Sequence, residues 1–123
     1  MTTPQAASRL TRWGFSAHGL ETWTSTVLEK GPESLRVTSL PAVHARGLMG
    51  QLLPPVMGTL LEQMPHADLS GFRLYVMGDT LAGDHLDEIA TRYPDIDAVV
   101  VHLGGTRVCC CTPSRWTPVK ASI

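Results

Sequence analysis

Two residues of this chain combine metal-ligand chemistry with a position just after a predicted strand. Asp79 belongs to a Gly78-Asp79-Thr80 turn that follows the apolar run 72–77, and His44 lies in the stretch 41–55, after another predicted strand. Imidazole nitrogen and carboxylate oxygen are both good ligands for zinc, manganese and iron. If the two strands end at the same edge of one sheet, His44 and Asp79 come together as candidate metal ligands.

The histidines and Asp79 also have structural interpretations. An aspartate after a strand often forms a turn or caps a helix, and a loop histidine such as His44 often hydrogen-bonds to the backbone. His102 lies inside an apolar run, where it is interpreted as a core or edge histidine held by a neighbour. The remaining three are predicted to be surface residues: His18, His66 and His85.

Two features near the C-terminus have weaker chemical interpretations. The turn Gly104-Gly105-Thr106-Arg107 could bind an anion through its backbone N–H groups. The three cysteines, residues 109–111, are adjacent, which fits neither a disulfide framework nor the spaced pairs of a zinc site. Successive strand side chains point to opposite faces, so we predict no cysteine site here.

The N-terminal part of the sequence predicts one helix and one hairpin. Residues 4–13 form the predicted helix, with Thr2 or Thr3 as its cap, Pro4 in its first turn and Gly14 ending it. Residues 23–28 and 35–40 are predicted strands. The intervening residues 30–33, Lys-Gly-Pro-Glu, have strong turn chemistry and predict that the two strands pair.

The second half predicts a βαβ-like unit. Residues 56–62 could be a strand or a short helix by periodicity, and we favour a strand that forms a second hairpin with the strand 72–77. Asp84 is predicted to cap a helix that ends at Tyr93 before Pro94. The side chains expected on its apolar face are Leu86, Ile89, Ala90 and Tyr93. Residues 98–103 form a continuous apolar run, which predicts a buried central strand.

Length and charge limit the classes of partner. The 123 residues have a net charge of -1 with dispersed basic residues, which points away from nucleic acid and membrane surfaces. No segment approaches the roughly 18 apolar residues of a membrane span, and the first residues lack the order of a secretory signal. We predict one small α/β domain of cytoplasmic location, with a small molecule or a protein as its partner.

Four ordered blocks resemble metal-dependent hydrolases of the metallo-β-lactamase superfamily, in the branch of lactonase-like and phosphodiesterase-like enzymes. The blocks are LPAVHA at 40–45, LLPPVMG at 52–58, LYVMGDT at 74–80 and VVHLGGTR at 100–107. The resemblance implies an αββα sandwich, built from a mixed sheet with flanking helices, in which His44 and Asp79 bind a divalent metal. Zinc is the first candidate, with manganese and iron as alternatives. In the family, metal-activated water attacks an ester, lactone, amide or phosphoester of a small-molecule substrate.

The chain also departs from that family. It contains no His-x-His-x-Asp-His segment, which supplies most of the family's metal ligands, and no counterpart of a later ligand histidine. The resemblance therefore implies a partial metallo-hydrolase domain over residues 1–108, lacking the ligands for activity on its own. A half-sandwich would leave sheet edges and apolar surface uncovered, so we predict self-association as an alternative role for a non-catalytic chain.

Residues 109–123 resemble no part of the family, and the genetic code suggests a reason. Read one base earlier, the codons of the cysteine run must encode two leucines, and the Trp116-Thr117 junction must encode aspartate. One permitted translation of this frame resembles a continuation of the hydrolase sequence. We therefore hypothesise that the tail is a frameshifted reading of a longer gene.

Overall fold

The chain combines helices with pairs of successive strands, and the computed structural model describes residues 1–65 and 71–102. The elements are α1 (Pro4–Arg12), β1 (Ser25–Lys30), β2 (Glu33–Pro41), α2 (Leu48–Leu52), β3 (Met57–Gln63), β4 (Phe72–Val76), α3 (Asp84–Arg92) and β5 (Ala98–Val100). The predicted α/β class is confirmed. Several sequence predictions lie outside the described residues: surface exposure of His66, the turn 104–107, the cysteine run and the tail 109–123.

The helix α1 has the ends that its sequence predicts. Thr3 is the N-cap, and its hydroxyl accepts a hydrogen bond from the Ala6 N–H at 3.4 Å. Pro4 occupies the first helical position, where its missing N–H has no consequence. Gly14 follows the helix with a φ of 85°, a left-handed conformation that glycine adopts without strain. The Thr3 hydroxyl also lies 3.5 Å from the Pro55 carbonyl oxygen, so the start of α1 contacts the segment before β3.

The five strands form one mixed sheet in the order β1-β2-β3-β4-β5. The first four are antiparallel to their neighbours, and β5 runs parallel to β4. Both predicted hairpins are confirmed, as is the βαβ arrangement of β4, α3 and β5. Gly31, with a φ of 61°, lies in the turn between the paired residues Lys30 and Glu33.

The largest buried cluster lies on the face of the sheet where α3 packs, while Val37 is buried on the opposite face. Leu40, Leu60, Tyr75 and Ile89 form its buried cluster, and Leu86 and Tyr93 are partly buried against it. Leu60 pairs with Thr38 on one side and with Tyr75 on the other, so these side chains share the core-facing surface. The opposite face carries an open apolar groove of about 450 Å³. Its apolar lining consists of Leu28, Leu35, Leu61, Phe72 and Leu74.

Three predictions around α3 and α2 are wrong in detail. Ala90 is exposed, because the side of α3 that contacts the core is narrower than predicted and is centred on Ile89. Asp84 is the first helical residue rather than the cap; Gly83 takes the cap position and has no side chain to bond the helix end. The stretch 41–55 is predicted as a loop but contains the short helix α2.

The prediction of a buried central strand at 98–103 is also wrong. Residues 98–102 of this run are described, and only Ala98–Val100 form a strand, β5, which lies at the end of the strand order. Val99 and Val100 are about half exposed, at 49% and 51%. The helix α3 packs over β2, β3 and β4, so β5 lies beside the core rather than inside it.

A buried carboxylate holds three strands together at the end of the sheet away from the loops described below. Glu62 of β3 pairs in register with Arg36 of β2 and Arg73 of β4. Its Oε1 lies 3.1 Å from Arg73 Nε, its Oε2 lies 3.9 Å from Arg36 Nη1, and its side chain is 8% exposed. Arg73 also contacts Asp95, and its backbone N–H donates to Asp97 Oδ2 at 2.7 Å. The network therefore joins β2, β3 and β4 to the segment before β5.

Tyr75 places a polar atom in the core. Its hydroxyl is buried and has no hydrogen-bond partner among the described residues. The ring packs over Gly58, where an added Cβ would lie 2.9 Å from Tyr75 Cε2. Gly58 is therefore the residue that makes room for the phenol.

Candidate functional site

The sheet topology brings the ends of β2 and β4 to the same edge. Since β3 is antiparallel to both neighbours, β2 and β4 run in the same direction. Two loops leave this edge: residues 42–47 after β2 and residues 77–83 after β4. His44 lies in the first loop and Asp79 in the second.

The two loops bring His44 and Asp79 into direct contact. His44 Nε2 lies 3.0 Å from Asp79 Oδ2, and the side chains are 37% and 68% exposed respectively. The meeting of imidazole and carboxylate at one sheet edge therefore occurs as the sequence predicts. A histidine–carboxylate contact this exposed contributes at most about 1 kcal/mol to stability, so the pair is not a main support of the fold.

The backbone just before His44 is attached to the residues just after Asp79. The Val43 N–H donates to Thr80 Oγ1 at 2.8 Å, and the Leu81 N–H donates to the Val43 carbonyl oxygen at 2.7 Å. Both polar groups of Val43 are thus bound to the second loop. These bonds hold the two candidate ligands on facing segments.

Sequence reasoning missed two further side-chain contacts: Arg46 connects the two loops, and His85 connects α3 to the second loop. Arg46 Nη2 donates to the Ala82 carbonyl oxygen at 2.7 Å. His85 Nε2 lies 3.0 Å from Thr80 Oγ1, so His85 is half-buried rather than the surface residue that was predicted. The sequence feature that could have indicated a contact at this position is Thr80 itself, because threonine after a turn commonly hydrogen-bonds to nearby backbone.

The pair has suitable chemistry and spacing for two positions around a divalent ion. Zinc lies about 2.0–2.1 Å from imidazole nitrogen or carboxylate oxygen, so two tetrahedral ligands are about 3.4 Å apart. The 3.0 Å between His44 Nε2 and Asp79 Oδ2 is slightly shorter, and both partly exposed side chains have room to rotate. Within residues 1–65 and 71–102, no group of three or more histidine, cysteine, aspartate or glutamate side chains is arranged to hold a metal. The described part of the chain therefore supplies two ligands rather than a complete set.

Among the described residues, neither of the other predicted histidines, His18 and His102, joins this pair in a group of three metal-binding side chains. His18 is exposed in the connection between α1 and β1, as predicted, and His102 is exposed just beyond β5. His102 is therefore not a core histidine. Neither residue forms an ion pair or a side-chain hydrogen bond within the described ranges.

No protein-family model, curated protein or solved structure matches this chain. Among the described residues, no helix is long and apolar enough to cross a membrane. The contact between His44 and Asp79 is therefore the starting point for a functional assignment.

Proposed function

We propose that this chain has a metallo-hydrolase-type site in which His44 and Asp79 are two ligands of a divalent metal ion. The observation that carries the proposal is the 3.0 Å contact between His44 Nε2 and Asp79 Oδ2, formed by loops that leave the same sheet edge. Zinc is the first candidate metal because it accepts both nitrogen and oxygen ligands, with manganese and iron as alternatives.

The local structure supports a ligand role better than a purely structural one. Asp79 is mostly exposed and hydrogen-bonds to an imidazole instead of capping α3, whose cap position is Gly83. Meanwhile, bonds from the Val43 backbone to Thr80 Oγ1 and to the Leu81 N–H hold the two loops without help from either ligand side chain. The pair is therefore free to exchange its mutual hydrogen bond for bonds to a cation.

The reaction class of the proposal comes from the resemblance to metallo-β-lactamase-type hydrolases. A divalent ion at this edge would supply Lewis acidity toward an ester, a lactone or a phosphoester. His44 and Asp79 would hold the ion through Nε2 and a carboxylate oxygen, and their exposure leaves an approach for a small-molecule substrate. Additional ligands are required from outside the described residues, and the αββα sandwich is part of this proposal.

We expect purified protein to bind zinc, and both His44→Ala and Asp79→Ala to weaken that binding at least about tenfold, because each removes one of two ligands. Isothermal titration with zinc and with manganese measures the affinity, and urea unfolding checks that the variants remain folded. His18→Ala and Asp87→Ala are matched controls, since both residues are exposed and neither takes part in the contact between His44 and Asp79.

Hydrolysis of a lactone and of a phosphodiester by the zinc-loaded protein tests the reaction class. The metal proposal fails if wild-type protein binds neither ion, or if the His44 and Asp79 variants bind zinc as well as the two controls do. The hydrolase proposal fails separately if loaded protein binds zinc but cleaves neither substrate.

A second candidate function is association of two copies through β1. Within the described ranges this edge strand pairs only with β2, and five of its six residues are exposed. Leu28 lies at the edge and also lines the apolar groove. In an antiparallel pairing centred on Leu28, Val27 lies opposite Glu29 of the second copy. Thr26 lies opposite Lys30, so no two like charges meet.

For this second function, we expect a concentration-dependent dimer whose formation is lost in Leu28→Lys, because two lysines would then face each other across the axis. Sedimentation velocity over a wide concentration range measures the association. Val99→Lys, at the opposite edge of the sheet, is the matched control and should still dimerise. A wild-type protein that stays monomeric throughout would contradict the proposal.

A further inference from the structure

The hydroxyl of Thr80 lies where the two loops of the candidate site cross. Thr80 follows Asp79 directly, and the residue it contacts, Val43, directly precedes His44. Each candidate ligand is thus one residue from this contact. A change in the distance between Val43 and Thr80 would be passed on to the 3.0 Å separation of the ligand atoms.

Three hydrogen bonds involve the Val43 backbone, and two of them use the Thr80 hydroxyl, the weaker one to the Val43 carbonyl oxygen at 3.5 Å. The bond from the Leu81 N–H to the Val43 carbonyl oxygen, 2.7 Å long, joins backbone atoms and could form with any residue at position 80. The bond from the Val43 N–H to Thr80 Oγ1, 2.8 Å long, requires an acceptor on that side chain. The Val43 N–H and carbonyl belong to the peptide units on either side of its Cα, so the bonds together restrain the backbone on both sides of that atom.

The Thr80 side chain is itself held in place. His85 Nε2 lies 3.0 Å from Thr80 Oγ1, and His85 belongs to the first turn of α3, which packs on the core through Ile89. The hydroxyl therefore has contacts to the first loop and to a helix anchored on the sheet. This arrangement connects the orientation of Val43 to the rigid part of the fold.

We propose that Thr80 is a positioning residue that orients His44 against Asp79 by holding the Val43 backbone, an inference that rests on the proposed metal-ligand function of that pair. Thr80 touches neither a substrate nor a metal in this role. Its hydroxyl sets the approach of the imidazole to the carboxylate, and with it the affinity of the pair for a divalent ion.

Thr80→Val tests this role, because valine has nearly the shape of threonine but cannot accept a hydrogen bond. Two readouts need no metal: the hydrogen-exchange rate of the Val43 amide, and the NMR cross-relaxation between the His44 ring and the Asp79 Cβ protons. We expect about tenfold faster exchange at Val43 and loss of the His44–Asp79 signal. Zinc affinity should fall about tenfold as well.

Thr80→Ser keeps the hydrogen-bond acceptor and should retain the wild-type values. Thr91→Val controls for the loss of a threonine hydroxyl elsewhere, because the Thr91 hydroxyl bonds within the exposed face of α3. Thr80→Ala serves as a second deletion of the acceptor if the valine variant does not fold. Unchanged Val43 exchange and an unchanged His44–Asp79 signal in Thr80→Val would overturn the proposal. Failure of wild-type protein to bind zinc would contradict the proposed function alone, because the metal-free readouts decide the role of Thr80 independently.

Discussion

Leu60→Ala is expected to lower the free energy of unfolding by about 3 kcal/mol, within the range of roughly 2–5 kcal/mol for a buried leucine. Leu60 is 0% exposed and lies in the centre of the sheet against Leu40, Tyr75 and Ile89. Truncation removes buried methyl groups and leaves a cavity beneath α3. Urea unfolding followed by far-ultraviolet circular dichroism measures the change.

Leu61, the next residue in β3, provides a control, because it is also a leucine but lies on the opposite face of the sheet. Leu61 follows Leu60 in β3, so it points to the opposite face, where it lines the open groove and is only partly buried. We expect Leu61→Ala to lower stability by less than about 1.5 kcal/mol, because less apolar surface leaves the interior. An equal or larger loss for Leu61→Ala would contradict the assignment of the more deeply buried face of β3 to the α3 side of the sheet.

Arg73→Ala should destabilise the protein by about 3 kcal/mol, because it leaves the Glu62 carboxylate buried without its closer partner. Arg73 Nε is 3.1 Å from Glu62 Oε1, whereas Arg36 Nη1 is 3.9 Å from Oε2. The substitution also removes the contact of Arg73 with Asp95. Urea unfolding at neutral pH measures the loss.

Two comparisons separate the buried charge from general effects of removing an arginine. Arg36→Ala removes the more distant guanidinium and should lower stability by less than about 1 kcal/mol. Adding Glu62→Gln to Arg73→Ala should recover part of the loss, since the uncompensated charge is gone. Similar small losses for both arginine variants would show that Glu62 is adequately solvated, contrary to its 8% side-chain exposure.

Local patterns predict much of the sheet and the meeting of its loops. The Lys-Gly-Pro-Glu turn at 30–33 fixes the first hairpin because glycine can adopt the positive φ found at Gly31. Two successive hairpins make β2 and β4 run the same way, which places the loops of His44 and Asp79 at one edge. That juxtaposition follows from strand order and needs no knowledge of side-chain packing.

The errors arise where the answer depends on distant parts of the chain. The apolar run that begins at Ala98 has the same composition whether its strand lies at the centre or the edge of a sheet, and the position of α3 decides the burial of Val99 and Val100. Likewise, the contact of His85 with Thr80 depends on where α3 begins relative to the loop. The metal-ligand role and the family resemblance remain predictions.

The buried phenol of Tyr75 sets an alkaline limit on this fold. Burial raises the pKa of Tyr75 above its ordinary value of 10.0, so with rising pH the unfolded chain loses this proton before the folded one. The stability contributed by the neutral phenol is therefore complete below pH 10.0 and is lost as the pH rises from there through the folded-state pKa. Deprotonation of Tyr75 and opening of the core beneath α3 are consequently linked, so we expect both to occur together in a strongly basic solution.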